Sequence, residues 1–257
     1  MDFERFREQI SKTLGLNLSG YKETQLKRRI ESFMEAQGFK EFDAYHRALA
    51  TDKELARKFL DKITINVSEF FRNKDIFDNL ETTVLPQLLK KSNNKLKIWS
   101  AGCSIGAEIY SITMILDKLT PGVRHIIHAT DLDEGIIAKA KEGKYRPDEL
   151  KNVSPERLNK YFVKDGNDYK LSTDIKSRVS FKKHDLLRDR YEKDYDLIVC
   201  RNVVIYFTRE TQDVLYKNFN TALKPGGILF IGATESILNY KDIGLEKTLT
   251  WFYQKRV

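Results

Sequence analysis

Asp131, closing the apolar run Ile126 to Ala129, and the turn Gly102-Cys-Ser-Ile-Gly106, closing Lys97 to Ala101, have the types and spacing of a nucleoside-binding crossover. In a βαβ unit the first glycine lets the chain turn sharply and approach a ligand, and an acid ending the second strand can accept hydrogen bonds from a ribose diol. The spacing is G-x-x-x-G rather than the dinucleotide G-x-G-x-x-G, and no Gly-Lys-Ser/Thr follows to cradle phosphates. Such a turn with one acid suits a nucleoside ligand without phosphates, of which S-adenosylmethionine is the common case. Asp131 has a competing use, as the N-cap of a helix over Leu132 to Lys141. Asp185 could hold an adenine amino group or serve as a cap or turn residue. Glu108 suits a helix first turn and could also touch the ligand.

No general base stands out. The histidines 46, 125, 128 and 184 form no metal spacing, and no G-x-S-x-G elbow is present. Cys103 and Cys200 have no C-x-x-C partner and read as small buried residues. A methyl acceptor that is already anionic needs no base, and a glutamate carboxylate, with a reference pKa of about 4.3, is such an acceptor. What it needs is desolvation and aim, which an arginine and a tyrosine hydroxyl can supply. Asn66-x-Ser68-x-x-x-Arg72, and Tyr206 after Arg201-Asn202, offer those groups. On residue type alone, Arg72 reads first as a solvated surface charge.

The elements that must position these residues fall into two regimes. From Asp2 to about Lys62, Phe3, Phe6, Ile10 and Leu14, then Leu26, Ile30 and Phe33, then Leu55, Phe59 and Ile63 recur at helical spacing, which predicts four short helices over residues 1–64. A linker and connecting helix follow over 65–93, with a bridge from Asn66 to Arg72 and a helix from about Lys74 to Lys90 that contains or ends at Pro86. From Lys97 onward strands alternate with helices. Strands are expected at Lys97–Ala101, Ile126–Thr130, Val179–Lys182, Leu197–Cys200 and Ile228–Gly232, and helices at Ala107–Leu119, Glu134–Lys141 and Arg209–Leu223. This alternation predicts an α/β domain over 94–257 with a parallel sheet. Lys224-Pro-Gly-Gly227 reads as a helix stop and turn, and Leu245 to Lys255 as a closing antiparallel hairpin or edge strand. The interval after Lys141 is too long for a simple crossover, and Asp165 to Asp168 reads as the turn of a small hairpin in an insertion at about 145–176.

Composition bounds the reading further. A chain of 257 residues with 41% hydrophobic content can build a packed core. Its 45 Lys and Arg against 37 Asp and Glu give a net charge of +8 and a pI near 9.2, which favours an anionic partner without naming it. The start Met-Asp-Phe-Glu-Arg leads into no apolar run, and no segment approaches the ~18 apolar residues of a membrane span, so the expected location is the cytoplasm.

Three strings together carry a resemblance: Ile65-Asn-Val-Ser-Glu-Phe-Phe-Arg72, Trp99-Ser-Ala-Gly-Cys-Ser-Ile-Gly-Ala-Glu-Ile-Tyr-Ser111 and Cys200-Arg-Asn-Val-Val-Ile-Tyr-Phe207. They resemble the chemotaxis receptor glutamate methyltransferases, the CheR family, and the likeness extends over essentially the whole chain. It implies a Rossmann-like class I S-adenosylmethionine-dependent methyltransferase fold with a small β-subdomain insertion, preceded by a small all-helical N-terminal domain. It also implies methyl transfer from S-adenosylmethionine to glutamate side chains of receptors, giving methyl esters and S-adenosylhomocysteine, with no metal. The resemblance assigns Asn66, Ser68, Arg72, Gly102, Glu108, Asp131, Asp185, Leu186, Arg201 and Asn202 to the cofactor pocket, and Arg72 and Tyr206 to the methyl-transfer site.

The basic helix Tyr21 to Phe33, with Lys22, Lys27, Arg28 and Arg29, is similar to the family's docking surface for the acidic helical region of methyl-accepting chemotaxis receptors, which makes contact with a membrane indirect. The turn Lys164 to Tyr169 is short beside family members that bind a receptor tether, so tether dependence is expected to be weak or absent. The chain departs from the family pattern at Ser68, Ile105, Ala107 and Ile109, and at Ile105 a hydroxyl is lost from the glycine turn. Two other functions remain as alternatives. The basic pI would fit an RNA methyltransferase, although no N/D-P-P-Y motif and no stacking-aromatic stripe accompany it. A cofactor-sensing scaffold without catalysis is the other.

Overall fold

The computed structural model describes residues 1–64 and 68–257. Four helices open the chain: α1 (Phe3–Leu14), α2 (Glu23–Ala36), α3 (Phe42–Thr51) and α4 (Lys53–Thr64). Each turns an apolar stripe inward, Phe6 and Ile10 from α1, Leu26 and Ile30 from α2, Tyr45 from α3, Phe59 and Ile63 from α4, and these side chains make one core. Burying each such side chain contributes roughly 1.5–3 kcal/mol, which exceeds what helices this short gain from propensity alone. Asp2 accepts from the Arg5 amide at 2.9 Å and so caps α1.

The connecting helix is interrupted. It runs as α5 (Lys74–Asn79), a π turn (Leu80–Val84) and α6 (Leu85–Lys91), with Pro86 inside α6. A proline has no N–H and its ring crowds the preceding turn, and the widened π segment upstream absorbs that mismatch.

The rest of the chain is β1 (Lys97–Ala101), α7 (Ala107–Leu119), β2 (Ile126–Asp131), α8 (Glu134–Glu142), β3 (Lys144–Tyr145), α9 (Pro155–Tyr161), β4 (Phe162–Asp165), β5 (Asp168–Leu171), α10 (Thr173–Ser177), β6 (Val179–Lys183), β7 (Tyr195–Cys200), α11 (Arg209–Ala222), β8 (Leu223–Ile231), β9 (Leu245–Leu249) and β10 (Phe252–Lys255). Seven strands form one sheet in the order β6-β2-β1-β7-β8-β10-β9. The first five are mutually parallel and the last hairpin is antiparallel, as the alternation and the aromatic C-terminal segment predict. The order reverses between β1 and β7, and in such sheets the crevice at the carboxyl ends of those two strands takes the ligand.

Two local readings change. Lys224-Pro-Gly-Gly227 is not a free turn: β8 begins at Leu223, pairing Tyr195 with Leu223 and then Leu197 with Ile228, so these residues form an irregularity within the strand. The expected hairpin is one part of a three-stranded sheet, β3-β5-β4, whose Gly166-Asn167 turn joins Asp165 to Asp168. Gly166 takes φ +66°, the conformation a two-residue turn demands.

The helical region is seated on the α/β domain at several places, the first of them through the backbone. Residues 20–22 pair antiparallel with 206–208 through Lys22 N–H to Tyr206 O at 2.9 Å and Thr208 N–H to Gly20 O at 2.8 Å. At the second place α4 meets α8, where Asp61 faces Asp133. Burial first, then Asp133, raise the Asp61 carboxyl from 3.8 to about 6, against the opposing pull of Lys139 and Arg57. A folded pKa raised above the unfolded one gives stability that is full below about pH 4 and lost as pH rises through about 6. Asp61→Asn is therefore expected to melt higher than the parent protein at pH 7.5 and alike at about pH 3.5. Thermal melts across that range check it, and a pH-independent difference would contradict the assignment.

Candidate active site

The first wall of the crevice is the loop after β1. Gly102 has φ +82°, and a Cβ there would lie 2.5 Å from Cγ2 of Val203, so only glycine allows the loops after β1 and β7 to approach this closely. The Gly102 and Cys103 amides donate to Thr130 O at 2.8 and 2.9 Å, and the Ser104 amide donates to Oδ2 of Asp131 at 2.8 Å. Asp131 is buried, with Oδ1 accepting from the Asp133 amide at 3.1 Å. Burial raises its pKa while those amides oppose the rise. The cap of α8 is Asp133, which accepts from the Gly135 and Ile136 amides, so the competing use of Asp131 falls to its neighbour.

The second wall follows β7. The Arg201 guanidinium is 2% exposed and donates to Glu108 Oε2 at 2.8 Å, to Asn73 Oδ1 at 2.9 Å and to the Arg72 carbonyl at 3.4 Å. Arg201 and Glu108, both expected at the cofactor, thus neutralise each other at its edge. The loop Asn202 to Val204 is held by Glu235, a residue that motif reading does not single out. Its carboxylate accepts from the amides of Gly232 at 2.6 Å, Asn202 at 3.0 Å, Val203 at 3.2 Å and Val204 at 3.0 Å. Its one sequence cue is its place just past the end of an apolar strand.

The third wall is the bridge into α5. Phe70 packs edge-on against Tyr145 at 4.7 Å and Phe162 at 5.3 Å, anchoring the bridge in the β insertion. The Phe71 amide donates to Ser111 Oγ at 3.0 Å. Phe71 and Asn73, at φ 50° and 62°, flank Arg72 in the left-handed region and turn the chain at that residue. Tyr206 lies opposite, in a short 3-10 turn; burial raises its hydroxyl pKa, and Arg29 and then Arg72 oppose the rise. The Arg29 guanidinium stands 5.2 Å from the Tyr206 ring centroid and donates to Ile63 O at 2.7 Å. Arg29 is therefore half-buried against Tyr206 and Ile63, while Lys22, Lys27 and Arg28 are exposed. The 100° advance per residue on α2 and the half-buried Tyr21 beside it explain the divergence of Arg29 from Arg28.

Ser68, Arg72, Gly102, Glu108, Asp131, Asp185, Leu186, Arg201, Asn202 and Tyr206 border one cleft of about 960 Å3, its open mouth included. Asn66 lies outside the described residues. Asp185 serves as a turn residue, its Oδ1 accepting from the Leu187 amide at 2.8 Å, while its Oδ2 is buried and has no hydrogen-bond partner among the described residues. Ile105, Ala107 and Ile109 are packed in the sheet core, which accounts for apolar residues at those positions. His184 borders the cleft but is buried edge-on to Trp99 at 5.4 Å, and burial lowers its pKa. Cys103 and Cys200 are buried free thiols. Among the described residues no group of three or more His, Cys, Asp or Glu could hold a metal ion.

The residues present fit an adenosine-bearing cofactor. Asp131 and Asp185 offer carboxylate acceptors at two strand ends, and the glycine turn and the Asp185 oxygen that has no partner among the described residues lie on the same cleft. The reversed strand order, the antiparallel closing hairpin and this cleft define a class I S-adenosylmethionine-dependent methyltransferase fold. Residues 1–64 match the family model described as CheR methyltransferase, all-alpha domain, and residues 66–251 match CheR methyltransferase, SAM binding domain, so the chain belongs to the CheR methyltransferase family. It is 44% identical over 255 residues to a chemotaxis protein methyltransferase of Listeria monocytogenes, covering 99% of this chain and 97% of that one. Chemotaxis protein methyltransferase 1 of Pseudomonas aeruginosa is 36% identical, with 94% and 92% covered. The Escherichia coli chemotaxis protein methyltransferase is 31% identical, with 91% and 84% covered.

Glu235→Ala would leave four amides without their acceptor and release the loop that carries Asn202. An unpaired buried amide costs about 1–3 kcal/mol. We expect a loss of at least about 3 kcal/mol in urea unfolding, with weaker S-adenosylhomocysteine binding in calorimetry; parental values for both would show that the loop holds itself.

Proposed function

We propose that this protein methylates the side-chain carboxylates of glutamates in the cytoplasmic helical region of methyl-accepting chemotaxis receptors, giving glutamyl methyl esters and S-adenosylhomocysteine. The observation that carries the reading is that Arg72 and Tyr206 border the same cleft, without a positioned general base among the described residues. A glutamate carboxylate, with a reference pKa of about 4.3, arrives ionised at neutral pH, so no proton has to be removed. Bound S-adenosylmethionine supplies a methyl group on a cationic sulfur, which an aligned carboxylate oxygen can take in a single displacement.

Every other task falls to the chain. Asp131 would accept from a ribose diol and Asp185 from an adenine amino group, and the Gly102 turn would admit the methionine portion. Arg72 would draw the acceptor carboxylate out of water and aim it, with the Tyr206 hydroxyl as a second donor. Ser68, Leu186, Asn202 and the Arg201–Glu108 pair would complete the cofactor walls, with Asn66 contributing from the bridge. Residues 1–64 would dock the receptor, 65–93 link, and 94–257 catalyse, with the insertion at about 145–176. The exposed Lys22, Lys27 and Arg28 suit an acidic receptor helix, and the two-residue hairpin turn favours methylation without a receptor tether.

Arg72→Ala is expected to lower receptor methylation by about 100-fold or more, the scale of losing an oriented charge donor at a reacting centre. Arg72→Lys should recover only part, since the ammonium lacks the planar fork. The check is transfer of radiolabel from S-adenosylmethionine to receptor-rich membranes, followed by mild alkali, which releases a methyl ester as volatile methanol. Full turnover in the alanine variant, or label stable to alkali, would remove the proposed site or the proposed product.

A further inference from the structure

Three cleft residues, Tyr21, Ile63 and Thr64, come from the N-terminal helical region, and Tyr21 has no part in the chemistry above. Tyr21 lies just before α2, yet it borders the same cleft as Asp131 and Asp185. Its backbone is held by the pairing of residues 20–22 with 206–208. Its ring stands edge-on to Phe207, centroids 4.8 Å apart at 71°. Gly20 makes the close approach: a Cβ there would lie 2.9 Å from Leu187 Cδ1 and 3.0 Å from Thr211 Cγ2. The segment is therefore pressed against the loop that carries Asp185 and Leu186 and against the start of α11.

The side chain shares the cleft with the two strand-end carboxylates. Burial raises the Tyr21 hydroxyl pKa, and the charges that add most to the rise are Asp185 and then Asp131. Oδ2 of Asp185, buried and without a partner among the described residues, is an acceptor awaiting a donor there. A flat ring beside two carboxylates matches a ligand with a heteroaromatic base and a diol, because aromatic side chains hold bases by their faces while the carboxylates take the polar edges.

We propose that Tyr21 is a cofactor-contacting residue, by which the N-terminal helical region contributes one aromatic wall of the adenosine site. This rests on the reading of the cleft as the S-adenosylmethionine site. Nucleoside binding and the seating of residues 20–22 on 206–208 then stabilise one another, since such coupling is reciprocal. Because Tyr206 carries the paired carbonyl and Lys22 the paired amide, a bound nucleoside firms up the segment between the exposed lysine and arginines of α2 and the methyl-transfer site.

The test is calorimetric binding of S-adenosylhomocysteine to the full chain and its variants. Tyr21→Ala should weaken binding about tenfold, the scale of one aromatic contact to a base, and Tyr21→Phe should stay within about threefold. Gly20→Val, which lifts the segment without touching the ring, should weaken binding similarly. In the parent protein, amide exchange at residues 20–22 and 206–208 should slow when S-adenosylhomocysteine is added, a readout that does not depend on any variant folding. Equal affinity in Tyr21→Ala, or exchange unchanged by ligand, would overturn the inference while leaving the cofactor site intact. Failure of the parent protein to bind S-adenosylhomocysteine would instead overturn the reading beneath it. Loss of receptor methylation in Tyr21→Ala at parental affinity would assign the residue to the substrate side and so also overturn it.

Discussion

The buried Arg201–Glu108 pair is the interaction on which the site's architecture depends. Taking two charges out of water costs several kcal/mol per ion, so the pair is tolerable only with good geometry and further partners. Arg201 has them: Asn73 and the Arg72 carbonyl on one side, and the faces of Phe230 and Phe77 at 4.8 and 5.7 Å on the other. One side chain thereby fixes the bridge, α5, α7, β7 and β8 relative to one another. A lysine could not, because it lacks the planar fork that reaches a carboxylate, an amide and a carbonyl together.

Around this tie the backbone adopts conformations it would otherwise avoid. Phe71, Asn73, Ser104 and Asn202 all have φ between 50° and 62°; Ser104 and Asn202 border the cleft, and Phe71 and Asn73 flank Arg72, which does. Such residues cost of order 1–3 kcal/mol each and persist where the surroundings over-determine them. Here the surroundings are identifiable: Ser111 and Arg201 at the bridge, Asp131 at the glycine loop, and Glu235 after β7. Buried acids and amide donors, rather than regular structure, shape the cleft.

Much of this was legible in the sequence, for reasons of locality. The five parallel strands read as apolar runs, the helices as stripes, and the strand-end rule brought Gly102, Asp131, Asp185, Arg201 and Asn202 to one edge. Some residues were not legible, because their partners are far away along the chain. Glu235 acts on amides some thirty residues earlier, and Arg29 turns inward only because Tyr206 and Ile63 come to meet it. The resemblance to a known family brought Ser68 and Leu186 to the site when residue type alone would not. Asp131 and Asp133 show the limit from the other direction. Two acids two residues apart compete for one cap, and only the geometry says which one takes the helix and which one keeps the strand end.

The strand order also governs when the domain can come into being. β10 lies between β8 and β9, so the edge of β8 stays unpaired until residues 252–255 exist. Those residues are translated after residues 1–251. The four-helix region can collapse early, from local contacts within its own sequence, while the sheet waits for its penultimate strand. Until residues 252–255 are made, the nascent chain carries a helical head and an unfinished sheet with an exposed pairing edge, the kind of surface that chaperones protect.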